Sequence, residues 1–154
     1  MYQKILVPLD GSELAECVLP HVEAVGKGCE VRDVILIRVI EHLEILTRGG
    51  LAFSKDDLHQ METEHRAEAE KYLKQVAARL KEKGLIVRSE VLEGKPAEAI
   101  AEYAKKNEVD LIILATHGRS GLSRWYWGSV ADRILRSVCV PILMVRVPGC
   151  YPGI

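Results

Sequence analysis

Short apolar runs alternate along this chain with longer stretches whose apolar residues recur at helical spacing. Lys4-Ile-Leu-Val-Pro-Leu-Asp10 reads as a buried strand that ends in the turn Asp10-Gly11-Ser12. Leu14, Cys17, Val18, His21, Val22 and Val25 then fall on one helical face, with Gly26 and Gly28 as stop signals and Pro20 expected to bend the helix. Residues 31–40, rich in Val and Ile, read as a second strand. Over residues 54–83 a longer helix places Leu58, Met61, His65, Ala69, Leu73, Val76 and Leu80 on one stripe, and Gly84 ends it. A third strand over 86–92 leads to Pro96, which suits the first turn of a helix carrying Ala97, Ile100, Tyr103 and Ala104. A fourth strand over 110–114, a last helix over 129–138 and a fifth strand over 141–146 complete the pattern.

Strands that alternate with helices in this way predict an α/β fold, a five-stranded parallel sheet with helices on both faces. Each parallel connection needs a crossover, and crossovers are right-handed. Ligands of such sheets bind outside the carboxyl ends of the strands, where the strand order reverses. The loops to inspect are therefore those over 8–12, 39–54 and 115–128. No internal repeat or interdomain linker interrupts the chain, so residues 1–154 are expected to form a single domain.

Composition narrows the classes of function. With 48% hydrophobic and 28% charged residues, and 21 basic residues against 22 acidic, the chain carries no cationic excess for nucleic acid. No apolar run reaches membrane-spanning length, and the amino terminus enters a strand without a signal-peptide pattern, so a cytoplasmic protein is expected. Cys17, Cys29, Cys139 and Cys150 stand singly without metal-type spacing and read as reduced thiols. Motifs for a P-loop ATPase, a dinucleotide enzyme, a serine hydrolase or a zinc protease are absent, as is the acidic site of a response-regulator receiver.

The chemistry concentrates after the fourth strand. Between Ala115 and Val130 the chain runs through Gly118, Gly121 and Gly128 into a helix beginning near Ser129. Glycines let backbone amides approach an anion, and a helix start adds free N–H groups and the positive end of its dipole, which together make a phosphate cradle. The paired aromatics around Tyr126, Trp125 and Trp127, read either as packing or as a stacking surface for a base. The stretch 42–54, with Gly49-Gly50, reads either as a flap over the same rim or as a plain connection.

Ile5-Leu-Val-Pro-Leu-Asp-Gly-Ser12, the turn Gly94-Lys-Pro96, the loop from Ala115 to Ser129 and the terminal Val140-Pro-Ile-Leu-Met-Val145 together resemble the universal stress protein family, in order and over nearly the whole chain. The resemblance implies a Rossmann-like fold of the adenine nucleotide alpha hydrolase type, with strand order 3-2-1-4-5. It also implies a site for ATP, or ADP or AMP, with Mg or Mn. In the nucleotide-binding branch the loop reads Gly, two residues, Gly, nine residues, then Gly and Ser or Thr. Gly118, Gly128 and Ser129 match that pattern, and Ala115 stands at the first glycine. One added methyl is compatible with a close backbone approach, whereas a positive φ there would be costly for alanine.

Carried onto this chain, the implied nucleotide contacts are Pro8, Leu9, Asp10, Ser12, Val39, Ala115, His117, Gly118, Arg119, Gly121, Gly128, Ser129 and Val130. Plainer readings stand beside several of them. Asp10 with Glu13, and Ser129 with Asp132, have the spacing of helix capping pairs. As an anion, Asp10 would otherwise hydrogen-bond ribose or adenine, or hold a divalent cation against the phosphates. His117 and Arg119 also read as solvated loop residues, and Val39 is a strand residue whose backbone the resemblance places near adenine. The family reading is a regulatory protein whose nucleotide occupancy biases its partners. It also implies a homodimer through the fifth strand, whose apolar residues would otherwise form an unpaired edge. Two alternatives remain: a dimeric interaction module without nucleotide, and a slow ATP hydrolase or autophosphorylating protein using Ser120, Ser123 or Ser129, for which no general base is evident.

Overall fold

The computed structural model describes residues 1–41, 54–116 and 129–146. Five strands, β1 (Lys4–Pro8), β2 (Asp33–Ile40), β3 (Val87–Glu93), β4 (Leu111–Ala115) and β5 (Ile142–Val145), form one sheet in the order β3-β2-β1-β4-β5. Every adjacent pair is parallel. Four helices connect or flank them: α1 (Leu19–Gly28), α2 (Lys55–Glu82), α3 (Pro96–Lys106) and α4 (Ser129–Ser137).

The sheet divides the interior into two cores because successive strand side chains point to opposite faces. Ile5, Val7, Val34, Leu36, Leu111 and Ile113 pack with Val18 and Val22 beside α1, and with Ala69, Leu73, Val76 and Leu80 of α2. Leu6, Ile35, Ile37, Ile112 and Leu114 pack on the other face, with Ala97, Ile100 and Ala104 of α3 and Ala131 and Ile134 of α4. A strand buried on both faces has few polar positions to spare, which is why β4 and the buried stretches 5–7 of β1 and 34–37 of β2 are wholly apolar.

Helix boundaries depart from the sequence expectation in physically informative ways. Pro20 does not bend a helix. A 3-10 turn over Ala15–Val18 comes first, and α1 starts at Leu19 with proline in its first turn, where the missing N–H is not needed. Gly26 is not a stop either. It is buried inside α1, and a Cβ there would lie 2.7 Å from Leu85 Cδ2, so the glycine permits close helix packing. In α2 the predicted stripe is buried only from Ala69 onward; Leu58 and Met61 are half-buried and His65 is exposed. The start of that helix is fixed locally by a capping box, in which Ser54 Oγ accepts from the Asp57 amide at 3.1 Å and the Asp57 carboxylate accepts from the Ser54 amide at 3.3 Å.

Charged pairs tie helices to the sheet. Arg79 of α2 pairs with Glu16 of the 3-10 turn, and Arg66 of α2 with Glu93 of β3. Tyr103 of α3 donates to Glu90 at 2.6 Å and accepts from Arg88 at 3.0 Å, while Arg88 also donates to Asp33 at 2.9 Å. Burial first, and then the bond to Glu90, push the Tyr103 hydroxyl up to about 12 from an ordinary value of 10.0. Burial likewise raises Tyr72. The unfolded chain therefore loses these protons first as pH rises, and stability that is fully present below pH 10 is lost as pH approaches 12. The melting temperature should fall over that interval, and Tyr103→Phe should make the fall shallower, as followed by circular dichroism.

Candidate nucleotide site

Proline and pairing register shape the rim at the carboxyl ends of the strands. β1 pairs with β2 as far as Pro8–Ile37, and the Leu9 amide continues that ladder by donating to Ile37 O at 2.8 Å. β4 pairs with β5 as far as Ala115–Val145, and the Thr116 amide extends it to Val145 O at 3.0 Å. Between β1 and β4, however, the pairing comprises Ile5–Leu111 and Leu6–Ile112 and goes no further. Backbone groups alternate sides along a strand, and since the Leu9 amide faces β2, the position of Pro8 faces β4. Proline has no N–H to give there. The β1–β4 ladder thus ends short of the rim, at the point where the chain leaves β1 for one side of the sheet and later returns to build the other, which is where ligands of such sheets bind.

The loop leaving β1 lies at this switch point. Leu9 is buried in the core, so only its backbone is available to a ligand. Asp10 is exposed, and its Oδ1 accepts from the Ser12 amide at 2.8 Å and the Ser12 hydroxyl at 2.6 Å. This local turn replaces the expected capping of a helix by Asp10 with Glu13. Ser12 does the capping instead, its Oγ accepting from the Ala15 amide at 3.2 Å. Among the described residues Oδ2 of Asp10 takes no hydrogen bond, which leaves it for a hydroxyl or a cation.

Gly11, between them, has φ +86°, and a Cβ there would lie 2.9 Å from the guanidinium carbon of Arg38. Arg38 itself stands over the ring of Tyr72, 5.7 Å from its centroid. This arginine was not among the expected site residues. Its only trace in the sequence is a single cation inside the apolar run Val34-Ile-Leu-Ile-Arg-Val-Ile40.

The remaining predicted residues divide into two groups. Val39 is half-buried at the end of β2 and packs on the α3 and α4 side. Ala115 ends β4 in register with Val145, and the non-glycine residues with positive φ among those described are Glu30 and Glu108. Alanine is therefore unstrained where the family pattern has its first glycine. Ser129 and Val130 are exposed on the first turn of α4, while Asp132 pairs with Arg136 one turn on. His117, Gly118, Arg119, Gly121 and Gly128, the serines Ser120 and Ser123, the aromatics Trp125 to Trp127 and the stretch 42–53 lie outside the described residues.

The universal stress protein family model matches residues 1–146. The chain belongs to the universal stress protein family. Universal stress protein MJ0531 of Methanocaldococcus jannaschii is 31% identical over 150 residues, spanning 96% of this chain and 84% of its own. Universal stress protein MJ0577 of the same organism is 33% identical over 156 residues, spanning 95% of this chain and 96% of its own. The solved structure of MJ0577 aligns with a TM-score of 0.84 at 31% identity, covering 97% of this chain and 99% of that one. A family member from Arabidopsis thaliana, solved with AMP bound, shares the fold with a TM-score of 0.68 at 14% identity, covering 96% and 93% of the two chains. This universal stress protein has strand order 3-2-1-4-5, as the resemblance implied. Among the described residues no helix is long and apolar enough to cross a membrane, and no group of three or more His, Cys, Asp or Glu could hold a metal.

The geometry around Gly11 carries a direct expectation. Gly11→Ala should destabilise the protein by about 1–2 kcal/mol, because alanine disfavours a positive φ and its methyl would displace Arg38. Gly28→Ala, at a helical position with open space around it, should leave stability unchanged or slightly raised. Urea unfolding of the two variants checks the contrast.

Proposed function

We propose that this universal stress protein is a cytoplasmic regulatory protein that binds an adenine nucleotide, ATP with a divalent cation, at the carboxyl ends of β1 and β4. The observation that carries this reading is at the sheet's switch point: the pairing of β1 with β4 ends at Leu6–Ile112, and the exposed Asp10 carboxylate on the loop after β1 keeps one oxygen without a hydrogen bond among the described residues. Asp10 offers one carboxylate oxygen to ribose or to the metal. Mg²⁺ is commonly held by one or two carboxylates together with substrate phosphates, so a single aspartate fits that role where a protein-only cage is absent among the described residues. The glycines Gly118, Gly121 and Gly128 and the first turn of α4 at Ser129 and Val130 would receive the phosphates, with His117 and Arg119 beside them. Ala115, extended and unstrained, is consistent with this role. AMP in the Arabidopsis family member supports the nucleotide class.

In this reading the protein acts through occupancy. Nucleotide orders the loops along one rim and changes which surfaces are presented to partner proteins. ATP titrated calorimetrically in the presence of Mg²⁺ should bind with one site per chain, and Gly118→Val should abolish or strongly weaken that binding with the fold intact. Unchanged affinity in the variant would remove the proposed cradle.

The reading includes a homodimer through β5. Ile142, Leu143 and Met144 are half-buried on an edge strand without a charged residue, a composition suited to strand addition. Light scattering at micromolar concentration should give twice the mass of one chain. A monomeric mass that ATP leaves unchanged would exclude the dimer.

A further inference from the structure

We propose that Arg38 is a positioning residue for the nucleotide rim, its guanidinium held against Tyr72 and pressed under Gly11 so that the Asp10–Ser12 turn keeps one conformation. The inference rests on the nucleotide reading of that rim, but its structural part stands on separate observations. Arg38 follows Ile37 in β2, and alternation puts its side chain on the α1 and α2 side of the sheet, opposite Val39. A half-buried arginine on such a face ordinarily requires an anion, yet no carboxylate of a described residue pairs with it. Instead the guanidinium stands over an aromatic ring and occupies the space that a Cβ on Gly11 would take.

Both contacts are close. A Cβ at Gly11 would lie 2.9 Å from Cζ and Nη1 and 3.2 Å from Nη2, so the guanidinium fills the space beside Gly11 that any side chain there would need. The Tyr72 centroid is 5.7 Å from Cζ, within the range of a cation–π contact. Tyr72 is in turn fixed by its place on α2 against the core. Its hydroxyl is buried, and the Glu16 and Asp10 carboxylates are its electrostatic neighbours. The turn that presents Asp10 therefore has a floor made by β2 and α2. Gly11, with its positive φ, is the point of the turn free to swing if that floor is removed.

Asp10 and Ser12 hold each other, which fixes the shape of the turn but not its place relative to the sheet. Arg38 supplies the second restraint. Lysine in its place would keep the charge but lose the flat fork that covers glycine and ring together. In Arg38→Ala the turn has more states to lose on binding, and nucleotide affinity falls although no atom of Arg38 need touch the ligand.

The test is calorimetry with ATP and Mg²⁺ on full-length wild type, Arg38→Ala, Arg38→Lys and Arg66→Ala, with amide hydrogen exchange on each protein free of nucleotide. Arg38→Ala should bind about tenfold more weakly, in keeping with the loss of one desolvated cation–π contact. Arg38→Lys should recover part of that loss. Arg66→Ala removes the same charge from an exposed pair with Glu93 and should bind as wild type does. The Ser12 and Ala15 amides should exchange faster in Arg38→Ala while the Ile35 amide in the core does not. Wild-type affinity in Arg38→Ala overturns the proposal, and so does weakened binding with unchanged exchange at Ser12 and Ala15, which would make Arg38 a ligand contact. Should Arg38→Ala unfold, Arg38→Lys and Tyr72→Leu decide on the same two measurements. If wild type takes up no ATP, the nucleotide reading fails, and unchanged exchange at Ser12 would then sink the positioning role as well.

Discussion

Alternation of side chains along β1, β2 and β4 commits nearly every residue of the central sheet to one of two cores, and the rest of the molecule follows from it. Helices must cover both faces, so each strand is followed by a long excursion before the next can be laid down. Polar chemistry is thereby excluded from the strands and driven to their ends. Pro8 then makes one of those ends different from the others. It withholds a donor from the β4 side while Leu9 still bonds β2, and the β1–β4 ladder ends at Leu6–Ile112. The local chemistry of one residue thus matches the point where the topology reverses.

Above that base the two helical layers are anchored in different ways. α1 and the second half of α2 are held by apolar burial and by the close approach that Gly26 allows to Leu85. The first half of α2 relies on its capping box and on charge pairs such as Arg66 with Glu93. On the opposite face α3 adds the polar chain Asp33–Arg88–Tyr103–Glu90 to its buried stripe. Exposed ion pairs contribute little each, so the main stabilisation remains apolar contact, and the pairs chiefly set which helix lies over which strand.

The sheet was legible in the sequence because apolar runs bounded by turn residues admit few alternatives, and the motif around Asp10 named the family. What could not be read were features set by register. Nothing local indicates that Gly11 will come up against Arg38, since one lies in the loop after β1 and the other in β2, and how that loop meets the neighbouring strand is a tertiary fact. The same holds for Gly26, which looks like a helix stop until Leu85 is found against it. Asp10 with Glu13 had the spacing of a capping pair, but an aspartate two residues before a serine can satisfy itself more locally, and it does. For α2 the periodicity was correct and its meaning was not, because a stripe of helical period says which residues share a face and not how far the core extends beneath it. Of the expected site residues, Pro8 to Ser12, Val39 and Ala115 lie at or just beyond the carboxyl ends of their strands and Ser129 and Val130 in the first turn of α4, while the stretch expected to hold phosphate, from His117 to Gly128, lies outside the described residues.

The two margins of the sheet are unlike. β3 carries exposed Arg88, Glu90 and Glu93 along its length, whereas β5 carries Ile142, Leu143, Met144 and Val145. Charges along an outer strand discourage further strand pairing, and an apolar outer strand does not. A sheet with one closed margin can be lengthened from the other side by a second copy only once, after which both outer margins of the combined sheet are charged. In the proposed pairing through β5, the unequal margins would act as a chain terminator, favouring a finite pair over an open-ended fibre.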